Sequence, residues 1–252
     1  MYKEKPSTLT KSIKDDLKAI PIFKNCDEAF FEALSKECHY QTHRKGKILF
    51  LHEDKADRFY FTKSGWVKLF RETLDGTQAV IDVVDGGNLF GQTAIFENDE
   101  HPYSAEVVVS AELISLPLSF LKREIQTNTQ LMLNMLDSLA SYKRIKDKEI
   151  EHRTVQNAPQ RIGCFLLRLS NDEQEGPFTI HLPYDKTLVA ARLGMQPETF
   201  SRALAKLRSK TGIKISGSTI YMDSLDPLIN YSCSACSSEF PCADFEKDHN
   251  RK

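Results

Sequence analysis

The chain has 252 residues, of which 40% are hydrophobic and 27% charged, and its formal net charge is −1. This length and composition predict an ordinary globular protein with one or two domains. No apolar run approaches the roughly 18 residues of a membrane span, and residues 1–20 lack the apolar segment of a signal peptide. We therefore expect a cytoplasmic protein without membrane partners, whose six cysteines are thiols or metal ligands rather than disulfides.

The first half of the chain changes from a helical to a β-strand pattern. Residues 13–38 read as helical, with Pro21 as an interruption. From Tyr40 to Leu116, short β-prone runs alternate with glycine-containing turns. Such spacing favours a closed or double-sheet structure such as a jelly roll. The runs are KILFL, RFYF, WVKLF, AVIDVV, AEVVV and ELISL.

A long helical pattern follows over residues 119–151. Met132, Met135, Leu139 and Tyr142 step by 3, 4 and 3, which is the spacing of a coiled-coil seam. A narrow seam on a long helix favours a homodimer, because one such helix buries little apolar surface alone. The alternative is a helix packed on its own β domain.

The stretch from Lys186 to Lys214 predicts a helix-turn-helix. Two short helical patterns meet at a turn over residues 193–196, and Pro197 suits the first position of the second helix. Downstream, two β-prone runs flank Ser216–Ser218 and predict a wing. One face of the second helix is apolar, and its residues are Phe200, Leu204 and Leu207.

The polar face of this second helix would read base edges in a DNA major groove. Residues 186–217 hold seven Lys or Arg (186, 192, 202, 206, 208, 210 and 214) and one acid (198), which gives +6 on a nearly neutral chain. Local positive charge indicates phosphate contacts, although an amphipathic helix pair with a solvated basic face is the alternative. The residues expected to contact DNA are Lys186, Glu198, Thr199, Ser201, Arg202 and Lys206.

These patterns predict an α+β chain in four parts. They are a jelly-roll β domain with an N-terminal helix over 13–118, a dimerisation helix over 119–153, a winged helix-turn-helix over 154–226 and a cysteine-containing tail over 227–252.

In this order the sequence resembles the CRP/FNR family of bacterial transcription regulators, over roughly Phe23 to Asp226. The segment Pro197–Arg202 resembles the E-[ST]-x-[SG]-R core of the family's recognition helix, and Ser201 is typical of the FNR-like branch. In the roll the resemblance is carried by Gly46–Phe50, Tyr60, Gly65, Val67, Asp75–Gly76, Val84 and Leu89–Gly91.

The resemblance implies a homodimer that binds double-stranded promoter DNA and works with RNA polymerase. Carried over, Arg202 would pair with a guanine, Glu198 would accept from a cytosine amino group and Ser201 would lie near a thymine. The expected site is two-fold symmetric, with TTGAT-like half-sites about one helical turn apart.

The roll departs from the cAMP-binding pattern that the resemblance supplies. Family members that bind cAMP carry Gly-Glu, then Arg followed by Ser or Thr and Ala, and the guanidinium pairs with the cyclic phosphate. Here Gly91 and Ser104 remain, but Gln92 replaces the Glu and Tyr103 replaces the Arg. A buried phosphate without a cation loses its main partner. We therefore expect this effector pocket to be degenerate and the effector not to be cAMP.

The C-terminal tail carries a separate signal, Cys233, Cys236 and Cys242. This trio could bind a metal ion or a [4Fe-4S] cluster, whereas a disordered tail with incidental cysteines is the alternative. Some family members resemble this chain in having such a trio, with a carboxylate of the dimer helix as fourth ligand. Candidates for the fourth ligand are Asp137, Asp147, Cys38, Cys164 and His249.

Other functions have weaker support. Haem, used by some relatives, is a further option, but no pair among His39, His43, His52 and His101 has a spacing that fixes an iron. The chain lacks the His-x-His of cupins, a Walker loop and Gly-x-Ser-x-Gly, so we expect no catalysis. The alternative function is a cyclic-nucleotide-binding regulatory module without gene-regulatory DNA binding, against which positions 92 and 103 and the basic segment argue.

Overall fold

The computed structural model describes residues 13–170, 176–182 and 185–237. They form two compact units that divide between Leu139 and Ala140. The first contains an antiparallel β-roll and the second combines helices with a small sheet, as the sequence predicted. None of the described helices is long and apolar enough to cross a membrane.

The roll is a six-stranded antiparallel sheet. Its two longest strands, β3 and β6, pair with each other, while β6 also pairs with β1 and β2, and β3 with β4 and β5. Inward-facing apolar side chains such as Val67, Phe90 and Val107 form the core of the roll. The strands are β1 (His39–His43), β2 (Ile48–Phe50), β3 (Arg58–Glu72), β4 (Gln78–Val84), β5 (Leu89–Phe90) and β6 (Ser104–Pro117).

Strand β3 is continuous where the sequence predicted two strands and a turn. Gly65 lies in the predicted turn, but the chain continues through it with irregular pairing to β6. Its φ is +87°, and a Cβ there would lie 2.2 Å from the carbonyl oxygen of Ser110. Glycine is therefore required for a bulge rather than a reversal.

Helices on both sides of the roll form a second core of the first unit, which includes Leu17, Phe30, Phe120 and Leu131. The long helix predicted from residue 119 is in fact two helices, with a break over residues 125–128. The helices are α1 (residues 13–18), α2 (Glu28–Glu37), α3 (Leu118–Glu124) and α4 (Thr129–Val155), with a 3₁₀ turn at Pro21–Phe23.

The predicted seam on α4 was wrong at one position. Met135 is only 5% exposed, because it packs into the core of its own domain. Leu136 and Met132 are instead 57% and 43% exposed. Together with Leu139 they step by 4 and 3, so an apolar face of α4 still points outward. We call Met132, Leu136 and Leu139 the outer face of α4.

The second unit contains the end of α4, four further helices and a three-stranded sheet of order β7-β9-β8. Helix α8 was not predicted; it begins where we placed the tail, and its Leu228 is buried. The elements are α5 (Ala158–Leu169), β7 (Phe178–His181), α6 (Lys186–Arg192), α7 (Pro197–Thr211), β8 (Lys214–Ser216), β9 (Thr219–Met222) and α8 (Asp226–Cys233).

Candidate DNA-binding face and effector pocket

Helices α6 and α7 form the predicted helix-turn-helix. Asp185 caps α6 by accepting from the backbone N–H of Leu188 at 2.9 Å. The turn between the helices passes through Gly194, whose φ of 66° is in the left-handed region that favours glycine. Pro197 then begins α7, at the position where a missing N–H costs nothing.

Helix α7 has one buried and one exposed face. Glu198, Ser201 and Arg202 are exposed and share one side, since they are three and four positions apart. The hydroxyl of Ser201 donates to the carbonyl of Pro197 at 2.9 Å, so only its oxygen lone pairs and its methylene are left for a partner. We call Glu198, Ser201 and Arg202 the reading face. The buried side is Phe200, Ala203, Leu204, Leu207 and Thr211.

The other predicted contact residues differ in exposure. Lys186 and Lys206 are exposed, whereas Thr199 is half-buried. Arg192 does not belong to the basic surface, because it is half-buried and forms an ion pair with Glu149 of α4. The exposed basic residues of this segment are Lys186, Arg202, Lys206, Arg208, Lys210 and Lys214.

The pair of Glu149 and Arg192 ties the end of α4 to α6, and the sequence analysis missed it. Both side chains are almost buried, at 12% and 13% exposure, and Lys146 adds a contact at 3.1 Å from Glu149. Burial alone would raise the pKa of Glu149, but Arg192 and Lys146 hold it at about 2.

The four residues of the degenerate effector pocket lie around the end of β5 and the start of β6. The backbone N–H of Gly91 donates to the hydroxyl of Tyr103 at 2.9 Å. The hydroxyl of Ser104 accepts from the backbone N–H of His52 at 2.9 Å. Gln92 is half-buried, and its side-chain oxygen has no hydrogen-bond partner among the described residues. A backbone donor and a hydroxyl of this pocket are thus already used by the protein itself.

Aromatic side chains surround this pocket. The rings of Phe50 and His101 stack with centroids 3.5 Å apart, and Phe50 also contacts Tyr60, Phe90 and Tyr103. Burial lowers the pKa of His101 to about 4, so its imidazole is neutral near pH 7. Histidine therefore supplies no positive charge here to replace the missing arginine.

Two of the three tail cysteines lie in the described part of the chain. Cys233 ends α8 and Cys236 follows it, both half-buried, while Cys242 and His249 lie outside the described residues. Within those described residues, no three His, Cys, Asp or Glu side chains are grouped so that they could hold a metal ion. Cys236 instead contacts His152, which was not among the candidate ligands.

Two family models match the chain. A cyclic nucleotide-binding domain matches residues 40–128, and a Crp-like helix-turn-helix domain matches residues 160–231. The first covers the roll and the second covers most of the second unit, including both helices of the helix-turn-helix.

Named relatives are transcription regulators. The chain is 24% identical to a CRP-like cAMP-activated global transcriptional regulator of Mycobacterium tuberculosis, over 82% of this chain and 94% of that protein. It is 27% identical to the nitrogen fixation regulation protein FixK of Rhizobium meliloti, over 69% of this chain and 77% of that protein.

Solved structures have the same fold. A cyclic nucleotide binding protein from Ruegeria pomeroyi is 29% identical with a TM-score of 0.63, over 89% of this chain and 98% of that one. FixK2 from Bradyrhizobium japonicum is 21% identical with a TM-score of 0.67, over 77% of this chain and 96% of that one.

Proposed function

Because this chain belongs to the CRP/FNR family of DNA-binding transcription regulators, we propose that it is a homodimer that reads a two-fold symmetric promoter site, under the control of an effector other than cAMP. The observation that carries the first part is the exposed reading face of Glu198, Ser201 and Arg202, opposite the buried side of α7. Carboxylate, hydroxyl oxygen and guanidinium can each contact a base edge in a major groove.

The half-site we propose is TTGAT-like, with two copies about one helical turn apart. Two recognition helices can meet such a site only in a symmetric dimer, and the outer face of α4 offers the apolar surface for it. As a promoter-bound regulator, the protein would also contact RNA polymerase.

Replacing Arg202 by alanine should weaken binding to the TTGAT palindrome by ~1–3 kcal/mol, because a bidentate contact to guanine is lost. Fluorescence anisotropy on the palindrome, and on variants of its G·C pair, measures this. The loss should shrink when the guanine is already replaced, since the contact is then absent in the parent too.

Arg208→Ala is the matched control, because Arg208 is an exposed arginine in the last turn of the same helix. It should weaken all duplexes about equally and lower the salt dependence of binding, as expected of a phosphate contact. Equal binding of the parent protein to palindrome and scrambled DNA at moderate salt would contradict the assignment.

The second part of the proposal is supported by the pocket. Tyr103 stands where the cAMP-binding pattern has arginine, and its hydroxyl accepts the Gly91 N–H. A cyclic phosphate placed there would have to displace that bond and would meet no guanidinium from position 103. An unpaired buried anion costs several kcal/mol.

Calorimetric titration of the protein with cAMP should therefore show no saturation at micromolar concentrations. The cAMP-activated relative from M. tuberculosis serves as the positive control. The double substitution Gln92→Glu with Tyr103→Arg should add measurable affinity, since it restores both charged partners. Micromolar binding by the unchanged protein would refute this part of the proposal and leave the DNA assignment untouched.

A further inference from the structure

The segment after α8 is bound to the end of α4 by several polar contacts. Lys148 donates to the hydroxyl of Ser237 at 2.8 Å, and the backbone N–H of Ser237 donates to Glu151 at 3.2 Å. Gln160 of α5 donates to the hydroxyl of Ser234 at 3.1 Å. Residues 234–237 thus have a defined place against α4 and α5.

Within this contact, a buried histidine lies between two thiols. His152 is 8% exposed. Its Nε2 is 3.4 Å from the Sγ of Cys236, and its Nδ1 is 3.8 Å from the Sγ of Cys164. The two cysteines come from different segments, 12 positions after the histidine and 84 positions after it.

The distance between His152 Nε2 and Cys236 Sγ matches that of two ligands of one tetrahedral ion. Zn–S and Zn–N distances of about 2.3 and 2.05 Å at a tetrahedral angle place the two donor atoms about 3.5 Å apart. In a [4Fe-4S] cluster each protein ligand binds a different iron, so donor atoms stand further apart. This spacing therefore favours a single ion over the cluster.

The surroundings of the pair also suit a metal site. The backbone N–H of Cys236 donates to the carbonyl of Cys233 at 3.1 Å, which closes the Cys-x-x-Cys segment into a turn. Cys164 at Nδ1 occupies the place of the partner that usually orients a metal-bound histidine and directs its Nε2 lone pair to the ion.

We propose that His152 and Cys236 are two ligands of a mononuclear site for a thiophilic divalent cation of the Zn²⁺ type. The sequence supplies two more thiolates, Cys233 in the same turn and Cys242, which lies outside the described residues. One imidazole and three thiolates are a usual donor set for structural zinc. Bound metal would then hold the tail on α4, within the DNA-binding unit.

The test uses the full-length chain, reduced, stripped with a chelator and titrated with Co²⁺. We expect one ion per chain, with the visible bands of tetrahedral cobalt and a near-ultraviolet thiolate charge-transfer band, and displacement by Zn²⁺. Cys236→Ser should abolish the charge-transfer intensity, and His152→Ala should weaken binding by ten-fold or more. Cys26→Ser, at a half-buried thiol of the first unit, is the matched control and should leave the titration unchanged.

Far-ultraviolet circular dichroism of each variant separates loss of the ligand from loss of the fold; Cys236→Ser is close to isosteric and keeps the test valid if His152→Ala unfolds. Three results would overturn the proposal. They are a parent protein without tetrahedral cobalt bands, a folded His152→Ala variant with unchanged affinity, or an anaerobic preparation with four iron and four sulfide per chain.

Discussion

Replacing Leu136 by aspartate is expected to convert the protein to a monomer and to weaken binding to the palindrome by a hundred-fold or more. Leu136 is 57% exposed and lies on the outer face of α4. Burying a leucine is worth ~1.5–3 kcal/mol, and a two-fold axis applies each substitution twice. The expected loss of ~3–6 kcal/mol in dimer stability corresponds to at least two orders of magnitude in affinity.

Two measurements check this expectation. Analytical ultracentrifugation over a concentration series gives the dimer dissociation constant, and anisotropy gives affinity for the full palindrome and for one half-site. The variant should lose its preference for the palindrome over the half-site, because one monomer contacts only one half.

Gln130→Asp is the matched control for Leu136→Asp. It places the same new charge at an exposed position of α4 that is not on the outer face. This control should remain dimeric. A Leu136→Asp protein that stays dimeric at micromolar concentration would show that another surface forms the dimer.

Local sequence signals predicted the helix-turn-helix well. The turn at Gly194 and the start of α7 at Pro197 depend on the backbone preferences of single residues, and the apolar stripe of α7 has the helical period. Such features can be recognised in a short window because neighbouring residues determine them.

Features that depend on distant residues were predicted less well. Gly65 indicates a turn in its own window, but its close approach to Ser110 makes it a bulge in a continuous strand. Met135 fits a seam by its spacing, yet the roll and the N-terminal helices cover it. A periodic pattern shows which residues share a face and does not show which partner covers that face.

The candidate sites follow the same division. The reading face was predicted because its residues lie within one helix. The contact of His152 with Cys236 joins residues 84 positions apart, and no local pattern indicates it. Helix α8 was missed because it is short and contains few apolar residues, so its position depends on packing against α5 and not on its own periodicity.

The buried ion pair at the end of α4 should make the stability of the second unit dependent on acid pH. The pKa of Glu149 is about 2 in the folded protein, against an ordinary value of 4.5. Because the folded value is the lower one, the pair stabilises the fold above pH 4.5, and this contribution is lost as pH falls toward 2. A difference of this size corresponds to about 3 kcal/mol.

Glu149→Gln is therefore expected to lower the free energy of unfolding at pH 7 by about 3 kcal/mol, since it leaves the guanidinium of Arg192 buried without its carboxylate. Urea unfolding followed by circular dichroism between pH 3 and pH 7 measures this, and the variant should show a flatter dependence on pH than the parent. Asp147→Asn is the matched control: Asp147 is a 57% exposed carboxylate on the same helix, paired with Lys143. It should change stability by less than about 0.5 kcal/mol.

The same substitution links stability to DNA recognition. Arg192 ends α6 and directly precedes the turn through Gly194, so the ion pair fixes the helix that positions α7. Glu149→Gln should lower affinity for specific and scrambled duplexes together, because it displaces the whole helix pair, whereas Arg202→Ala removes one base contact. If Glu149→Gln unfolds like the parent at every pH, the pair contributes nothing to stability, and α6 must be held by its apolar contacts alone.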